Sequence, residues 1–256
     1  MANIGERIQE ELNIIANRHF ITVSQLAQEL DVSEMTIRRD LRGLAEENKV
    51  KLVYGGVISN QELSNQNAYT LTREQGKNTG QKLAIVKQAI QLLDPQDVIF
   101  LDSGTTMQLF AEQIPQSYSN TIICSSLNTI NVLVKLSSCT IITTGGVYSP
   151  KSVVFYDSDS TRLIRKYRAN KAFIGTTGFE LNLGLTCGYV EDAPLKQAMI
   201  ESSKDRILMT DSSKFGQVST CLFGKIEDFT MVITDTGIPD EYARYIQNAG
   251  AQLILV

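Results

Sequence analysis

Residues 33–44 read SEMTIRRDLRGL, and this stretch decides the fold of the N-terminal part of the chain. Its apolar residues Ile37, Leu41 and Leu44 recur at intervals of four and three, which is the spacing of one face of an amphipathic helix. Ser33, immediately before that stripe, is a typical helix N-cap. The stretch therefore predicts a helix that begins after Ser33 and buries one apolar face.

Two helical patterns precede this helix, and a hairpin of short strands follows it. The apolar spacing of residues 4–17 and 22–30 predicts two further helices, the second of them capped by Thr22 or Ser24. Two short apolar runs around a pair of glycines come next and predict two strands. Helix, tight turn, helix and hairpin together predict a winged helix-turn-helix DNA-binding domain over residues 1–58.

A polar connection separates this domain from a larger one. Residues 59–71 are rich in Ser, Asn and Gln, which predicts a linker. Over residues 72–256, apolar strand-like runs alternate with segments of helical length, which predicts a parallel sheet covered on both faces. The predicted strands are 98–101, 121–124, 140–143, 172–174, 207–209, 231–234 and 253–256. The fold class is therefore α/β, with a winged helix-turn-helix in front.

Composition excludes several classes of protein. Hydrophobic residues make up 43% and charged residues 20% of the chain, as in a soluble globular protein. No apolar run approaches the roughly 20 residues of a membrane span, and the N-terminus does not resemble a secretion signal. The four cysteines lack the paired spacing of a zinc site. We expect a cytoplasmic protein without membrane contact, metal or cofactor.

Arginines mark the third predicted helix as the element that reads DNA. Arg38, Arg39 and Arg42 lie off its apolar stripe, where guanidinium groups can bind guanine edges or phosphates. The alternative is an ordinary solvated helix face. Residues 1–58 carry seven basic and nine acidic side chains, whereas residues 38–51 carry five and three. We therefore expect modest affinity from one module, so that tight operator binding needs a homo-oligomer, a dimer or tetramer.

The run 33–41, together with Tyr-Gly-Gly at 54–56, resembles the signature of the DeoR family of bacterial sugar-metabolism repressors. Arg7 matches an arginine expected upstream, but Glu11 stands where the family prefers an aliphatic residue. We expect the neighbouring Leu12 to supply that packing. With the wing included, the DNA contacts expected are Ser33, Thr36, Arg38, Arg39, Arg42, Lys51 and Tyr54.

Within residues 33–41, the resemblance implies that Thr36, Arg38 and Arg39 contact DNA. Asp40 is expected instead to orient an arginine or to cap locally.

Polar loops follow four of the predicted strands in the larger domain. Residues 102–106 (DSGTT) follow a strand and open a helix, so their backbone N–H groups can bind a phosphate. The alternative is a plain turn in which Ser103 or Thr105 only caps the helix. Loops at 124–128, 143–146 and 211–215 should meet the first at the carboxyl edge of the sheet, where ligands bind.

The resemblance extends to this domain, which is similar to a sugar-phosphate sensor related in fold to ribose-5-phosphate isomerase and the CoA-transferase group. Taken together, the loops and the resemblance predict a phosphorylated sugar as effector. The ligand contacts expected are Asp102, Ser103, Gly104, Thr105, Thr106, Ser125, Ser126, Gly145, Gly146, Lys151 and Lys214. A lysine such as Lys214 would, taken singly, more often be a surface residue.

This sequence departs from the family pattern at the presumed ligand loops. Ser125 replaces a common Asn, Asp157 replaces a common Gly, and Tyr189 and Val190 stand where Asn-Glu is frequent. Asp157 would repel an anion if it faced the pocket. The departures predict altered ligand choice, weaker phosphate binding or loss of sensing.

The sequence as a whole predicts a repressor of a sugar-utilisation operon that a phosphorylated sugar releases from double-stranded operator DNA. One alternative is an isomerase- or deaminase-like enzyme, with candidate acid or base groups at Asp102, Glu191, Asp211 and Lys214. The single histidine, His19, falls in the DNA-binding domain, and we expect no catalytic residue. Another alternative is a constitutive DNA-binding protein whose C-terminal domain only oligomerises.

Overall fold

The computed structural model describes residues 4–18, 20–53, 56–59, 74 and 76–256. The chain divides into two compact units, residues 1–68 and residues 69–256. His19 and most of the expected linker lie outside the described residues. Ser59, which we expected to open that linker, is instead the last residue of a strand. No helix in the described ranges is long and apolar enough to cross a membrane.

The described part of the first unit consists of helices packed on a small antiparallel sheet. Its elements are α1 (Ile4–Asn17), β1 (Ile21–Thr22), α2 (Val23–Glu29), α3 (Glu34–Glu46), β2 (Val50–Val53) and β3 (Gly56–Ser59). Strand β3 lies between β1 and β2 and pairs antiparallel with both. Ile15, Ile37 and Leu41 are fully buried in its core. This is the predicted winged helix-turn-helix, with β2 and β3 as the wing.

Side-chain caps fix where α2 and α3 begin. Thr22 Oγ1 accepts a hydrogen bond from Gln25 N at 3.1 Å, and Gln25 Oε1 accepts one from Thr22 N at 3.0 Å. Thr22 and not Ser24 therefore caps α2, through a reciprocal capping box. Ser33 Oγ accepts a hydrogen bond from Thr36 N at 3.2 Å, which confirms the predicted cap of α3.

Close packing, and not only the turn, requires glycine at position 56. A Cβ atom on Gly56 would lie 2.4 Å from the carbonyl oxygen of Ile21 and 2.6 Å from the ring of Phe20. Both contacts are too short for any larger residue, so β1 can pair with β3 only because position 56 carries no side chain.

The second unit is a parallel sheet with helices on both faces. In chain order its elements are α4 (Thr79–Ile90), β4 (Val98–Leu101), α5 (Thr105–Gln113), β5 (Thr121–Cys124), α6 (Leu127–Leu133), β6 (Thr140–Thr143), β7 (Val147–Ser149), β8 (Val154–Tyr156), α7 (Ser158–Lys166), β9 (Ala169–Ile174), β10 (Gly178–Glu180), β11 (Gly184–Cys187), α8 (Asp192–Glu201), β12 (Ser203–Met209), β13 (Cys221–Gly224), β14 (Met231–Thr234), α9 (Asp240–Asn248) and β15 (Gln252–Leu255). Seven strands form the main sheet in the order β15-β14-β12-β9-β4-β5-β6. All of its pairs are parallel, as predicted.

Alternating side chains of the central strands enter two separate apolar clusters. Ile99 and Leu101 of β4 pack with α4, α5 and α6, whereas Phe100 between them packs with α7, α8 and α9. The sheet is therefore buried on both faces, which explains why its strands read as continuous apolar runs. The sequence did not predict two smaller pieces, the antiparallel sheet β10-β11-β13 and the hairpin β7-β8.

The order of the strands decides which loops become neighbours. Strand β9 lies between β4 and β12, so the segments that follow these three strands leave the sheet side by side. Strands β5 and β6 continue the sheet past β4, away from β9 and β12. The carboxyl edge at β4, β9 and β12 is where a ligand pocket is expected.

Candidate DNA-binding surface and ligand pocket

The predicted recognition helix exposes its arginines. The side chain of Arg38 is 58% exposed and that of Arg39 is 72% exposed, while Ile37 and Leu41 face the core. Arg38 Nη2 donates to Glu34 Oε2 at 3.2 Å, one helical turn earlier. Because exposed pairs of this kind stabilise by less than about 1 kcal/mol, a phosphate or base can compete for the arginine.

A groove separates α3 from the wing. It is lined by residues of both elements together with one residue of α2, namely Val23, Arg38, Leu41, Arg42, Leu52, Val53 and Gly56. Ser33 and Thr36 lie at the start of α3, and Lys51 lies half-buried on β2. Six of the expected DNA contacts thus belong to α3, its cap or the wing, and they stay predictions. Tyr54, the seventh, lies outside the described residues.

A buried ion pair holds α1 against the recognition helix. Arg7 donates to Asp40 Oδ2 from Nη2 at 2.6 Å and from Nε at 3.0 Å. Arg39 Nε reaches Asp40 Oδ1 at 3.4 Å from the exposed side. Asp40 therefore orients arginines, as expected, and ties two helices together.

Glu11 lies inside the core of the first unit. It is completely buried, and neither carboxyl oxygen has a hydrogen-bond partner. The nearest positive group is Arg7 Nε at 3.7 Å. Burial, followed by the negative charge of Asp40, raises the pKa of Glu11 to about 7. Leu12 packs half-buried against this core, as expected, but Glu11 is enclosed by the core as well.

A polar pocket opens in the second unit at the carboxyl edge of β4, β9 and β12. It is lined by Glu74, Lys82, Ser103, Gly104, Thr105, Thr106, Met107, Gly175, Thr176, Thr177, Cys187, Asp192, Lys196, Met209, Thr210, Asp211 and Lys214. The first and fourth of the predicted loops meet here. The segment after β9, together with residues of α4, α8 and β11 and with Glu74, completes the pocket.

The first turn of α5 presents its backbone to this pocket. Gly104 is the N-cap, with φ at 105°, a conformation that favours glycine. No side chain caps the helix there, so the alternative in which Ser103 or Thr105 only caps α5 is wrong. An uncapped helix N-terminus beside Thr105 and Thr106 offers N–H donors to an anion.

A buried lysine on α8 pairs with the aspartate of the first loop. Asp102 and Lys196 are both almost fully buried and form an ion pair. Asp102 also accepts from Gly175 N at 2.9 Å, and Lys196 donates to Gly175 O at 3.0 Å. Burial by itself would lower the pKa of Lys196, but the charge of Asp102 outweighs that effect, and the pKa of Lys196 lies above its ordinary value. Asp102 thus holds a charged lysine at the pocket wall.

Asp192, one turn before Lys196 on α8, lines the pocket with an unsatisfied oxygen. The residue is 7% exposed and its Oδ1 has no hydrogen-bond partner. Burial raises the pKa of Asp192 to about 7; the charge of Lys196 lowers it, while those of Asp102 and Glu191 raise it. A buried polar atom without a partner at a pocket wall is a natural acceptor or donor for a ligand hydroxyl.

Lysines gather around Glu74 at another side of the pocket. Lys214 Nζ donates to Glu74 Oε2 at 2.8 Å, and Lys77 Nζ donates to Oε1 at 2.9 Å. Lys82 Nζ donates to the backbone oxygen of Glu74 at 3.0 Å. Burial by itself would raise the pKa of Glu74, but the hydrogen bonds from Lys214 and Lys77 lower it to about 2. Lys214 is therefore a partly buried, paired residue and not a free surface lysine.

Asp211 fixes the loop that carries Lys214. It accepts a hydrogen bond from Asn78 Nδ2 at 2.8 Å and one from Ser213 N at 3.2 Å, and it caps the short turn Ser212–Lys214. Its side chain thus positions Lys214, and Asp211 itself is almost fully buried.

The other two predicted loops do not line this pocket. The backbone at 125–127 is hydrogen-bonded to residues 153–155, and Ser125 and Ser126 are buried there. The carbonyl of Gly145 accepts from Ser160 Oγ at 3.0 Å, which ties that loop to α7. The ligand contacts expected at Ser125, Ser126, Gly145, Gly146 and Lys151 therefore stay predictions without support from the pocket geometry.

Asp157 serves a structural purpose. It is the N-cap of α7, where its Oδ1 accepts from Ser160 N at 2.7 Å. Backbone and side-chain hydrogen bonds from Ser160 lower the pKa of Asp157. Asp157 is absent from the pocket lining, so the repulsion considered for it does not arise there. Val190 is 70% exposed and also lies outside the lining.

Sequence reasoning missed Glu74, Lys82, Asp192, Lys196 and the segment 175–177. One signal was present for α8, where Asp192 and Lys196 stand four residues apart among mostly apolar neighbours. No local pattern marks Glu74. Among the described residues, no group of three His, Cys, Asp or Glu side chains could hold a metal ion.

A winged helix-turn-helix whose recognition helix exposes arginines, carried on one chain with an α/β domain that has a polar pocket, is the architecture of a ligand-responsive transcription regulator. Residues 7–63 match the family model of the DeoR-like helix-turn-helix domain. Residues 77–236 match that of the DeoR C terminal sensor domain. The chain belongs to the DeoR family of transcription regulators.

Relatives match the chain over nearly its whole length. An uncharacterized HTH-type transcriptional regulator of Haemophilus influenzae is 32% identical over 98% of this chain and 97% of its own. The deoxyribose operon repressor of Escherichia coli is 29% identical over 97% of both. Among solved structures, ribose 5-phosphate isomerase A of Methanocaldococcus jannaschii aligns with a TM-score of 0.41 at 19% identity, over 54% of this chain and 55% of that one.

Proposed function

We propose that this regulator represses a sugar-utilisation operon and leaves double-stranded operator DNA when a phosphorylated sugar fills the pocket of its second unit. The similarity to the deoxyribose operon repressor supports the choice of a sugar operon. The chemistry of the pocket supports the choice of effector.

One observation carries the proposal: a single pocket combines donors for an anion with an acceptor for a hydroxyl group. The uncapped N-terminus of α5 at Gly104 and the ammonium group of Lys214 suit a phosphate. The unsatisfied Oδ1 of Asp192 suits a sugar hydroxyl. A small molecule that carries both groups satisfies the pocket better than either an inorganic anion or a neutral sugar.

On the DNA side, the exposed arginines of α3 supply contacts to bases and phosphates. Because two recognition helices must reach half-sites about one helical turn, roughly 34 Å, apart, we propose a homodimer or a tetramer built from dimers. Sedimentation of the full chain tests this assembly directly. A monomer at the concentration that saturates operator DNA would contradict it.

Release of the operator DNA follows from coupling between the binding of DNA and the binding of the sugar phosphate. If the sugar phosphate favours an arrangement that no longer matches the half-sites, operator affinity falls by the coupling free energy, typically about 1 to 3 kcal/mol. That corresponds to roughly 5- to 150-fold weaker DNA binding.

We assign the pocket no catalytic role and no cofactor. Asp192, with a pKa of about 7, is the group at this pocket that is suited to proton transfer, next to the charged Lys196. Incubation of the chain with aldose and ketose phosphates, followed by NMR, tests this assignment. Conversion that Asp192→Asn abolishes would favour the enzyme alternative.

The decisive experiment titrates fluorescent DNA from upstream of the chain's own gene with the protein, in the presence of a panel of sugar phosphates. We expect specific binding that one phosphorylated sugar relieves. Arg38→Ala should weaken binding by at least tenfold. Arg18→Ala is the matched control, since that arginine is also about half exposed and paired with a glutamate of the same unit. DNA binding that no sugar phosphate alters would favour the constitutive alternative.

A further inference from the structure

The exposed stripe of α3 has one apolar member. Met35, Arg38, Arg39 and Arg42 are spaced i, i+3, i+4 and i+7, so they share one face of the helix. Met35 is 78% exposed, the largest exposed fraction among the large apolar side chains of the described residues. It is also the second residue of the helix. An apolar side chain so placed contributes nothing to the core of the unit.

The chemistry of duplex DNA narrows the partner of such a side chain. N-terminal residues of a recognition helix contact base edges in the major groove. Among the groups that base pairs present in that groove, the 5-methyl of thymine is the apolar one. We propose that Met35 contacts the 5-methyl group of a thymine in each operator half-site and so specifies an A·T pair there. This inference rests on the proposed DNA-binding function.

The test removes only the methyl group. Full-length protein first selects binding sites from randomised duplexes, and each thymine of the selected half-site is then replaced by deoxyuridine. We expect one position at which deoxyuridine weakens binding about fourfold for each half-site, because burial of one methyl group contributes about 0.8 kcal/mol. In Met35→Gln, which keeps the length but not the apolar tip, the same replacement should have no effect, and Met35→Leu should restore it.

Each outcome decides something different. A selected site that tolerates deoxyuridine at every position would overturn the inference about Met35 and leave the regulator function standing. Equal sensitivity in the wild type and in Met35→Gln would also overturn it. Failure to select any sequence would overturn the proposed function and the inference together. Val134→Ala changes an exposed apolar residue of the second unit. It should leave the affinities for the thymine duplex and for the deoxyuridine duplex as they are in the wild type.

A second inference concerns Glu74, whose carboxylate occupies the place of an anion in the pocket. Lys214 and Lys77 both donate to it, at 2.8 and 2.9 Å, so two ammonium groups share one negative charge. The residue is 9% exposed and lines the same pocket as the N-terminus of α5. A phosphate dianion compensates two lysines better than one carboxylate does.

The geometry points to Glu74 as a built-in competitor, which an effector phosphate must displace from Lys214. The inference deepens the proposed function, because it names the contact that the effector breaks.

Calorimetric titration with inorganic phosphate tests this competition. Glu74→Gln should bind phosphate at least fivefold more tightly than the wild type, since the competing charge is gone. Glu201→Gln is the matched control, because that glutamate also pairs with a basic residue but lies on the surface of α8. Glu74→Asp, which keeps the charge, should remain close to the wild type.

The outcomes separate this inference from the proposed function. Equal or weaker phosphate binding by Glu74→Gln, in a protein whose ligand-free melting temperature is unchanged, would overturn the competition. If neither wild type nor Glu74→Gln binds phosphate or any sugar phosphate, the proposed sensing function fails with it.

Discussion

Replacing Glu11 by leucine should stabilise the DNA-binding unit at pH 8 and remove most of the pH dependence of its stability. Glu11 is fully buried, its carboxyl oxygens have no hydrogen-bond partner, and the guanidinium of Arg7 is committed to Asp40 at 2.6 Å. The Asp40 charge faces the same site and opposes ionisation of Glu11. The folded unit therefore prefers Glu11 protonated.

The magnitude follows from the shift in pKa. Folding raises the pKa of Glu11 from 4.5 to about 7. The folded state binds the proton more tightly than the unfolded chain, so the associated stability is complete below pH 4.5 and is lost as the pH rises through 7. The whole loss is about 3 kcal/mol, of which about 2 kcal/mol falls between pH 5.5 and pH 8.

Hydrogen exchange on the full chain measures the pH-dependent loss of stability within the DNA-binding unit. Peptides from residues 4–18 and 34–46 report on α1 and α3, and exchange rates are corrected for the intrinsic effect of pH. In the wild type we expect roughly a thirtyfold fall in protection from pH 5.5 to pH 8, the equivalent of about 2 kcal/mol. In Glu11→Leu the fall should disappear, while peptides from α8 in the second unit should behave as in the wild type.

Glu11→Gln separates charge from packing. It should also lose the pH dependence, but without the gain in apolar contact that leucine provides. If the wild type shows equal protection of α1 and α3 at both pH values, Glu11 titrates normally and the argument from burial is wrong.

Three further changes give outcomes that can be measured separately. Lys196→Met leaves the Asp102 carboxylate buried without its cation and should destabilise the second unit by about 3 to 5 kcal/mol in urea unfolding. Combining Lys196→Met with Asp102→Leu should recover most of that loss. A small loss of stability in Lys196→Met alone would contradict the pairing. Thr22→Ala removes the cap of α2 and should lower the melting temperature of the DNA-binding unit, a cost of about 1 kcal/mol, whereas Ser24→Ala should not. Lys214→Ala should abolish stabilisation by phosphorylated sugars in a thermal-shift assay while DNA binding persists, and a retained shift would remove Lys214 from the site.

The sequence by itself determined the elements of this protein. Apolar spacing predicted α3 and all seven strands of the main sheet, because helices and buried strands impose their period on the residues that carry them. Short-range chemistry predicted the Ser33 cap and the glycine-containing loop at 102–106 that opens α5. Such features depend on residues that are close together in the chain, so a local pattern is sufficient to reveal them.

Only the tertiary structure decided which of those elements meet. Asp102 and Lys196 are 94 residues apart and pair because β9 brings their elements together, and Glu74 reaches Lys214 across 140 residues. Strand order placed the loops after β5 and β6 away from the pocket, although their polar composition matched the others. The family's preference for an aliphatic residue at position 11 was a signal that this position faces the core, but only the packing showed that the carboxylate of Glu11 is itself enclosed there. These choices depend on packing between segments that are far apart in the chain.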